Sequence, residues 1–132
     1  MLYSVKAHID TTHYTTQVST PGGHQLIADE PESIGGANKG FSPDELLSAA
    51  LATCSAMTMR MYADRKKWPL ETLTVDVDYS RDNEKVSSKF FMKITITGNL
   101  DEEQKERLRM IASKCPIHQT LVNPVNIQII SN

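Results

Sequence analysis

Apolar and polar residues alternate near the start of the chain. Tyr3, Val5, Ala7 and Ile9 are separated by more polar neighbours, the period of a half-buried strand. His13 to Ser19 is polar but β-prone, and Pro21-Gly22-Gly23 punctuates it as a turn before a short third strand, His24 to Ala28. Glu30 to Phe41 carries Pro31, Gly35, Gly36, Asn38 and Gly40 and reads as a loop long enough to be functional. The period then changes. Ser42-Pro43-Asp44-Glu45 is a helix start, with Ser42 as cap, Pro43 at the first helical position and Glu45 closing a capping box. The helix is expected to run to about Lys67, stopped by Trp68-Pro69. From Leu46 to Met57 its residues are apolar or small on every side, which predicts burial on every side.

Strict alternation returns afterwards. Leu73, Val75, Val77 and Tyr79 predict one strand, and Phe90, Met92, Ile94 and Ile96 its antiparallel partner across a polar turn at Arg81 to Lys85. Asp101 caps a second helix with Gln104 at the capping-box position, and Leu108, Ile111 and Ala112 form its apolar stripe. Pro116 interrupts that helix, one more turn reaches Val122, and Asn123-Pro124 ends it. Val125, Ile127 and Ile129 predict a last strand. The order strands, helix, strands, helix, strand defines an α+β chain in one domain, residues 1–132.

Composition narrows the partners. A net charge of −2 and a pI near 6.1 give no electrostatic footprint for nucleic acid or an anionic membrane. The longest uncharged run, Leu46 to Met59, has 14 residues, short of the roughly 18 that a membrane span needs. No basic segment precedes an apolar one at the N-terminus, so a cytoplasmic location is expected, where a structural disulfide rarely persists.

The candidate chemistry lies in two cysteines, Cys54 and Cys115, 61 positions apart. If the fold joins them they form a peroxidatic and resolving pair; otherwise they are two buried thiols of an ordinary domain. Cys54 lies about three turns into the first helix, beyond the reach of its N-terminal dipole, and burial alone would silence it. Cys115 precedes Pro116, a break that leaves its sulfur room to move; the plain structural reading is a helix-end residue with His118 as a partly buried histidine. No CxxC or HxxxH spacing supports a metal, so neither metal nor cofactor is expected. Asp44 and Glu45 both have sufficient work at the helix start. Nine or ten residues at about 1.5 Å per residue put them about 14–15 Å from Cys54, so a carboxylate acting there comes from a second subunit or across a kink.

Three segments carry a family resemblance: Ser42-Pro43-Asp44-Glu45-Leu46-Leu47, Ala49-Ala50-Leu51-Ala52-Thr53-Cys54, and Cys115-Pro116-Ile117-His118. Together, and in the order of elements, they resemble the OsmC/Ohr family of hydroperoxide-reducing proteins over nearly the whole chain. The resemblance implies an intertwined homodimer in which antiparallel sheets wrap two long central helices and the active sites lie at the subunit interface. It implies Cys54 as the thiol that attacks an organic hydroperoxide, Cys115 as the thiol that closes a disulfide with the resulting sulfenic acid, and an external dithiol as reductant. The family's helix-start carboxylate falls on Asp44 or, in a more divergent branch, on Glu45, whose longer side chain reaches further. One departure stands out: those peroxidases use an N-terminal arginine to stabilise the thiolate, and no Arg precedes Arg60 here. Lys39, His118 and Arg60 are the possible substitutes. The alternative implied function is a dimer without catalysis, binding a small apolar ligand or storing a redox signal.

Overall fold

The computed structural model describes residues 1–131, organised as two compact units that meet within one long helix, the first ending at Leu47 and the second starting at Ser48. The N-terminal unit is a three-stranded antiparallel sheet in the order β1 (Lys6–Ile9), β2 (Thr16–Ser19), β3 (Gln25–Ala28). Its strands are shorter than the alternation suggests. Met1, Leu2, Tyr3 and Val5 lie outside β1 and are exposed. Pairing Ala7 with Val18 and Val18 with Leu26 keeps the register of the apolar positions.

The loop after β3 is ordered around one buried carboxylate. Asp29 Oδ1 accepts from the amides of Glu30 (2.8 Å) and Ala37 (3.5 Å), and Oδ2 from Thr15 Oγ1 (3.0 Å) and the Lys39 amide (3.3 Å). Burial alone would raise its pKa, but the Glu30 and Lys39 amides, the Thr15 hydroxyl and the Ala37 amide together hold it below the usual value. Two glycines allow the tight packing. A Cβ on Gly36 would lie 1.9 Å from the Glu30 carbonyl oxygen and one on Gly40 1.9 Å from that of Ile27. A 3₁₀ turn at Glu32–Ile34 occupies the middle of the loop, which the sequence pattern did not indicate.

Helix α1 (Pro43–Lys66) starts as its capping box requires. Ser42 Oγ accepts from the Glu45 amide (3.2 Å), and Glu45 Oε1 accepts from the Ser42 amide (3.0 Å). The long hairpin of β4 (Leu70–Asp82) and β5 (Ser87–Gly98) follows, with Leu73 opposite Ile96, Val75 opposite Ile94, Val77 opposite Met92 and Tyr79 stacked on Phe90. One face is half-buried and the other wet, as the alternation predicts. Helix α2 (Glu102–Ala112) has the expected Asp101–Gln104 capping box, and α3 (Pro116–Val122) begins with Pro116 at its first position.

The core of the C-terminal unit is built from Met59 and Ala63 of α1, Leu70, Leu100, and Leu108 and Ala112 of α2, with the apolar face of the hairpin packed against it. Arg60 fastens α1 to the hairpin: its guanidinium holds Asp64 Oδ1 (2.6 Å) and donates to the Leu70 carbonyl (2.8 Å). Two expectations are corrected here. α1 is not buried all round in this chain. Only the stripe Leu51, Ser55, Met59, Ala63 is covered, while Met57 and Met61 are 60% and 63% exposed, because one chain supplies packing partners for one face only. The expected last strand is also absent. Residues 125–131 are irregular, with Val125, Ile127, Ile129 and Ile130 exposed, and they pair with neither of the two sheets.

Two outcomes test the loop. Gly40→Ala should destabilise the chain by about 1–3 kcal/mol through overpacking, read from denaturant unfolding. Asp29 has a depressed pKa, so its contribution is complete above the unfolded carboxyl value of about 3.9 and disappears as pH falls through its lower folded value. Hydrogen exchange at Ala37 and Lys39 should therefore be faster in Asp29→Asn than in wild type at neutral pH. Wild type should reach the variant's rate only below about pH 3.9.

Candidate functional site

The C-terminal unit brings the two sulfurs together, although neither is in a disulfide. Cys54 is half-buried on α1 and Cys115 is fully buried in front of α3. Their proximity shows electrostatically, because the Cys115 thiol is one of the main influences on the ionisation of Cys54.

Local sequence explains the position of Cys115. With Pro116 at the first helical position, Cys115 becomes the N-cap of α3 in an extended conformation, and its sulfur accepts from the His118 amide at 3.2 Å. The cap bond gives the sulfur a defined position at the Pro116 break. On the opposite side, Ser55 Oγ lies 3.5 Å from Cys115 Sγ and donates to the Ala112 carbonyl at 3.3 Å. Cys115 is therefore held between α1, the end of α2 and the start of α3.

Cys54 experiences opposing influences. Burial pushes its pKa up, the Ile117 amide pulls it down, the hydrogen bond and charge of Cys115 push it up again, and the Thr58 hydroxyl lowers it slightly. The result is a thiol above its ordinary range. None of these influences is a cation. Arg60, one of the three candidate cations, is committed to Asp64 and the Leu70 carbonyl. His118 supplies its backbone amide to Cys115, and Lys39 lies in the N-terminal unit with its amide on Asp29.

The helix-start carboxylates are elsewhere on α1. Asp44 and Glu45 lie in its first turn, in the N-terminal unit, and Cys54 is nine positions beyond Glu45. The Ser42 amide and hydroxyl hold Glu45 below its usual pKa, so it is an ionised acceptor at neutral pH. Among the described residues no group of three or more His, Cys, Asp or Glu is placed to hold a metal ion, and no helix is long and apolar enough to cross a membrane.

Sequence reasoning missed Ser55 and the two α3 amides. Ser55 had a detectable signal, as the one hydroxyl at the four-residue spacing Leu51, Ser55, Met59, Ala63 of the buried stripe. The amides had none, because backbone donors leave no mark in composition.

Comparisons with known proteins bear on the family and the fold. The family model described as OsmC-like protein matches residues 36–130. The fold is similar to that of an OsmC-like protein from Mycoplasma pneumoniae, with a TM-score of 0.78 at 22% identity over 92% of this chain and 88% of the other. It is also similar to an organic hydroperoxide resistance protein OsmC from Legionella pneumophila, described too as a predicted redox protein and regulator of sulfide bond formation. Here the TM-score is 0.68 at 27% identity, over 92% and 89% of the two chains. The organic hydroperoxide resistance protein OhrB of Bacillus subtilis aligns with a TM-score of 0.63 at 17% identity over 91% and 90%. No curated protein sequence matches the chain.

The influences on Cys54 predict opposite shifts for two variants. Cys115→Ala removes an upward push, so alkylation of Cys54 should gain its pH-dependent rise at lower pH than in wild type. Thr58→Val removes a downward pull and should move the rise to higher pH. Iodoacetamide labelling rates across pH, read by peptide mass, check both signs.

Proposed function

Because the chain belongs to the OsmC-like protein family, we propose that it is a thiol-dependent peroxidase that reduces organic hydroperoxides. The observation that carries this reading is the placing of Cys115 beside Cys54 from 61 positions away. The Cys54 thiolate attacks the distal peroxide oxygen; the O–O bond breaks, the alkoxide leaves and takes a proton to become the alcohol, and Cys54 becomes a sulfenic acid. Cys115 then displaces the sulfenic hydroxyl as water and closes the Cys54–Cys115 disulfide, which an external dithiol reduces. The solved organic hydroperoxide resistance proteins with this fold support the substrate class.

Cys54 needs a cation to act, and this chain's influences on it contain none. The proposal is therefore of an intertwined homodimer with sites completed across the interface. The exposed Met57 and Met61 face of α1, the exposed N-terminal residues and the apolar tail at Val125–Ile130 are surfaces that a second copy would cover. In that dimer Lys39 or His118 is the stabilising cation. Glu45, already ionised, or Asp44 is the carboxylate that orients it across subunits.

A second reading has a specific observation behind it. A Cys54 thiol held above its ordinary range suits a dimer without turnover that binds an apolar ligand; it weighs against the other alternative, storing a redox signal, which needs a reactive thiolate. One experiment separates the two. On adding cumene hydroperoxide to reduced protein, the peroxidase should lose both free thiols and about two daltons of mass, with disulfide closure abolished in Cys54→Ser. Thiols that stay reduced under excess peroxide would overturn the peroxidase reading and favour the dimer without turnover.

A further inference from the structure

Ser55 is fully buried in a helical stripe whose other members are Leu51, Met59 and Ala63. A hydroxyl in such a place is costly unless it is hydrogen-bonded. A helical serine or threonine has an easy local solution, a bond back to a carbonyl three or four residues earlier. Thr53 takes it on Ala49 (2.8 Å) and Thr58 on Cys54 (2.7 Å). Ser55 instead reaches out of its helix, to the Ala112 carbonyl at the end of α2 and to Cys115 Sγ. Ser55 has one hydroxyl proton, and the Ala112 carbonyl can only accept it; with that bond made, the thiol is the donor in the contact with Cys115, where the geometry admits either atom.

We propose that Ser55 is the positioning residue for the resolving step: it aims the Cys115 sulfur at Cys54 and turns its own hydroxyl proton onto that sulfur as the thiol is deprotonated. The role rests on the peroxidase reading above. In the step it serves, an electron pair of the Cys115 sulfur forms the S–S bond. The S–O bond of the Cys54 sulfenic acid breaks, and the departing hydroxide takes the Cys115 proton to become water. The Cys115 sulfur is oxidised, the Cys54 sulfur is reduced, and no further reactant is required. Developing negative charge on Cys115 meets two donors already within reach, the His118 amide and the Ser55 hydroxyl. The groups shown against that sulfur are the Ser55 hydroxyl and the Cys54 thiol from α1 and the His118 backbone amide from α3, while the Ala112 carbonyl of α2 accepts from Ser55.

Two measurements test this. In Cys54→Ala protein a single thiol remains, and its Raman S–H stretch should lie below that of a free thiol and rise when Ser55→Ala is added. In single-turnover oxidation of otherwise wild-type protein, Ser55→Ala should slow disulfide closure about 10- to 100-fold. Dimedone should then trap a sulfenic acid that wild type resolves too quickly to accumulate. Ser55→Thr, which keeps the hydroxyl, should restore closure, with thermal unfolding of both variants showing that the difference is not one of folding. An S–H stretch at the free-thiol frequency in Cys54→Ala protein overturns the proposal without any Ser55 variant. A shifted stretch with unchanged closure in Ser55→Ala overturns the role in resolution. If wild-type protein shows the shifted stretch but forms neither sulfenic acid nor disulfide with peroxide, the peroxidase reading fails and takes the resolving role with it, while the contact stands.

Discussion

Helix α1 has more apolar surface than its own chain covers. It lacks charge from Leu46 to Met59, and α2 and the hairpin cover only the stripe from Leu51 to Ala63. At about 25 cal/mol per Å² of apolar surface, leaving Met57 and Met61 in water forgoes a substantial part of what two such side chains could contribute. The same imbalance recurs at residues 125–131, where alternating Val125, Ile127 and Ile129 have the pattern of a strand but are exposed and pair with neither sheet. In the proposed homodimer these are the surfaces that a second copy would cover.

The chemistry depends on the same incompleteness. A thiol needs ionisation to act as a nucleophile, and the chain gives Cys54 burial and a neighbouring sulfur, both acting against it. The compensating donors are the Ile117 amide and the Thr58 hydroxyl, and they do not win. Arg60 is close in sequence but works as a clamp between α1 and the hairpin, with its donors used by Asp64 and Leu70. For the proposed resolving step the chain supplies a Cys115 sulfur that caps α3 and is hydrogen-bonded.

The sequence revealed what rests on local rules. Both capping boxes, the ends of α1 and the inward face of the long hairpin follow from residue types at fixed spacings, and each was legible. Legibility failed where the answer lay in non-local packing. Uniform apolarity from Leu46 to Met57 implied burial without saying which chain would provide it. The alternation at Val125 to Ile129 implied a strand without saying where its partner is. The pairing of Cys54 with Cys115 was a resemblance until the fold placed them, and Ser55 passed as an ordinary small helix residue.

Cys115 shows how a single substitution pattern serves fold and site together. Pro116 has no amide hydrogen to lose at the first helical position, so α3 starts there without penalty and Cys115 is left in the extended cap geometry. That geometry lets the sulfur serve as the cap. The cap bond from His118 and the hydroxyl of Ser55 both end on it, from two different helices. A mobile resolving thiol would pay ordering entropy in every turnover, about as much as fixing a residue's backbone costs. If Cys115 resolves as proposed, its sulfur is already held in the folded chain by contacts from two helices, one of them from a serine that does without the easy bond to its own helix.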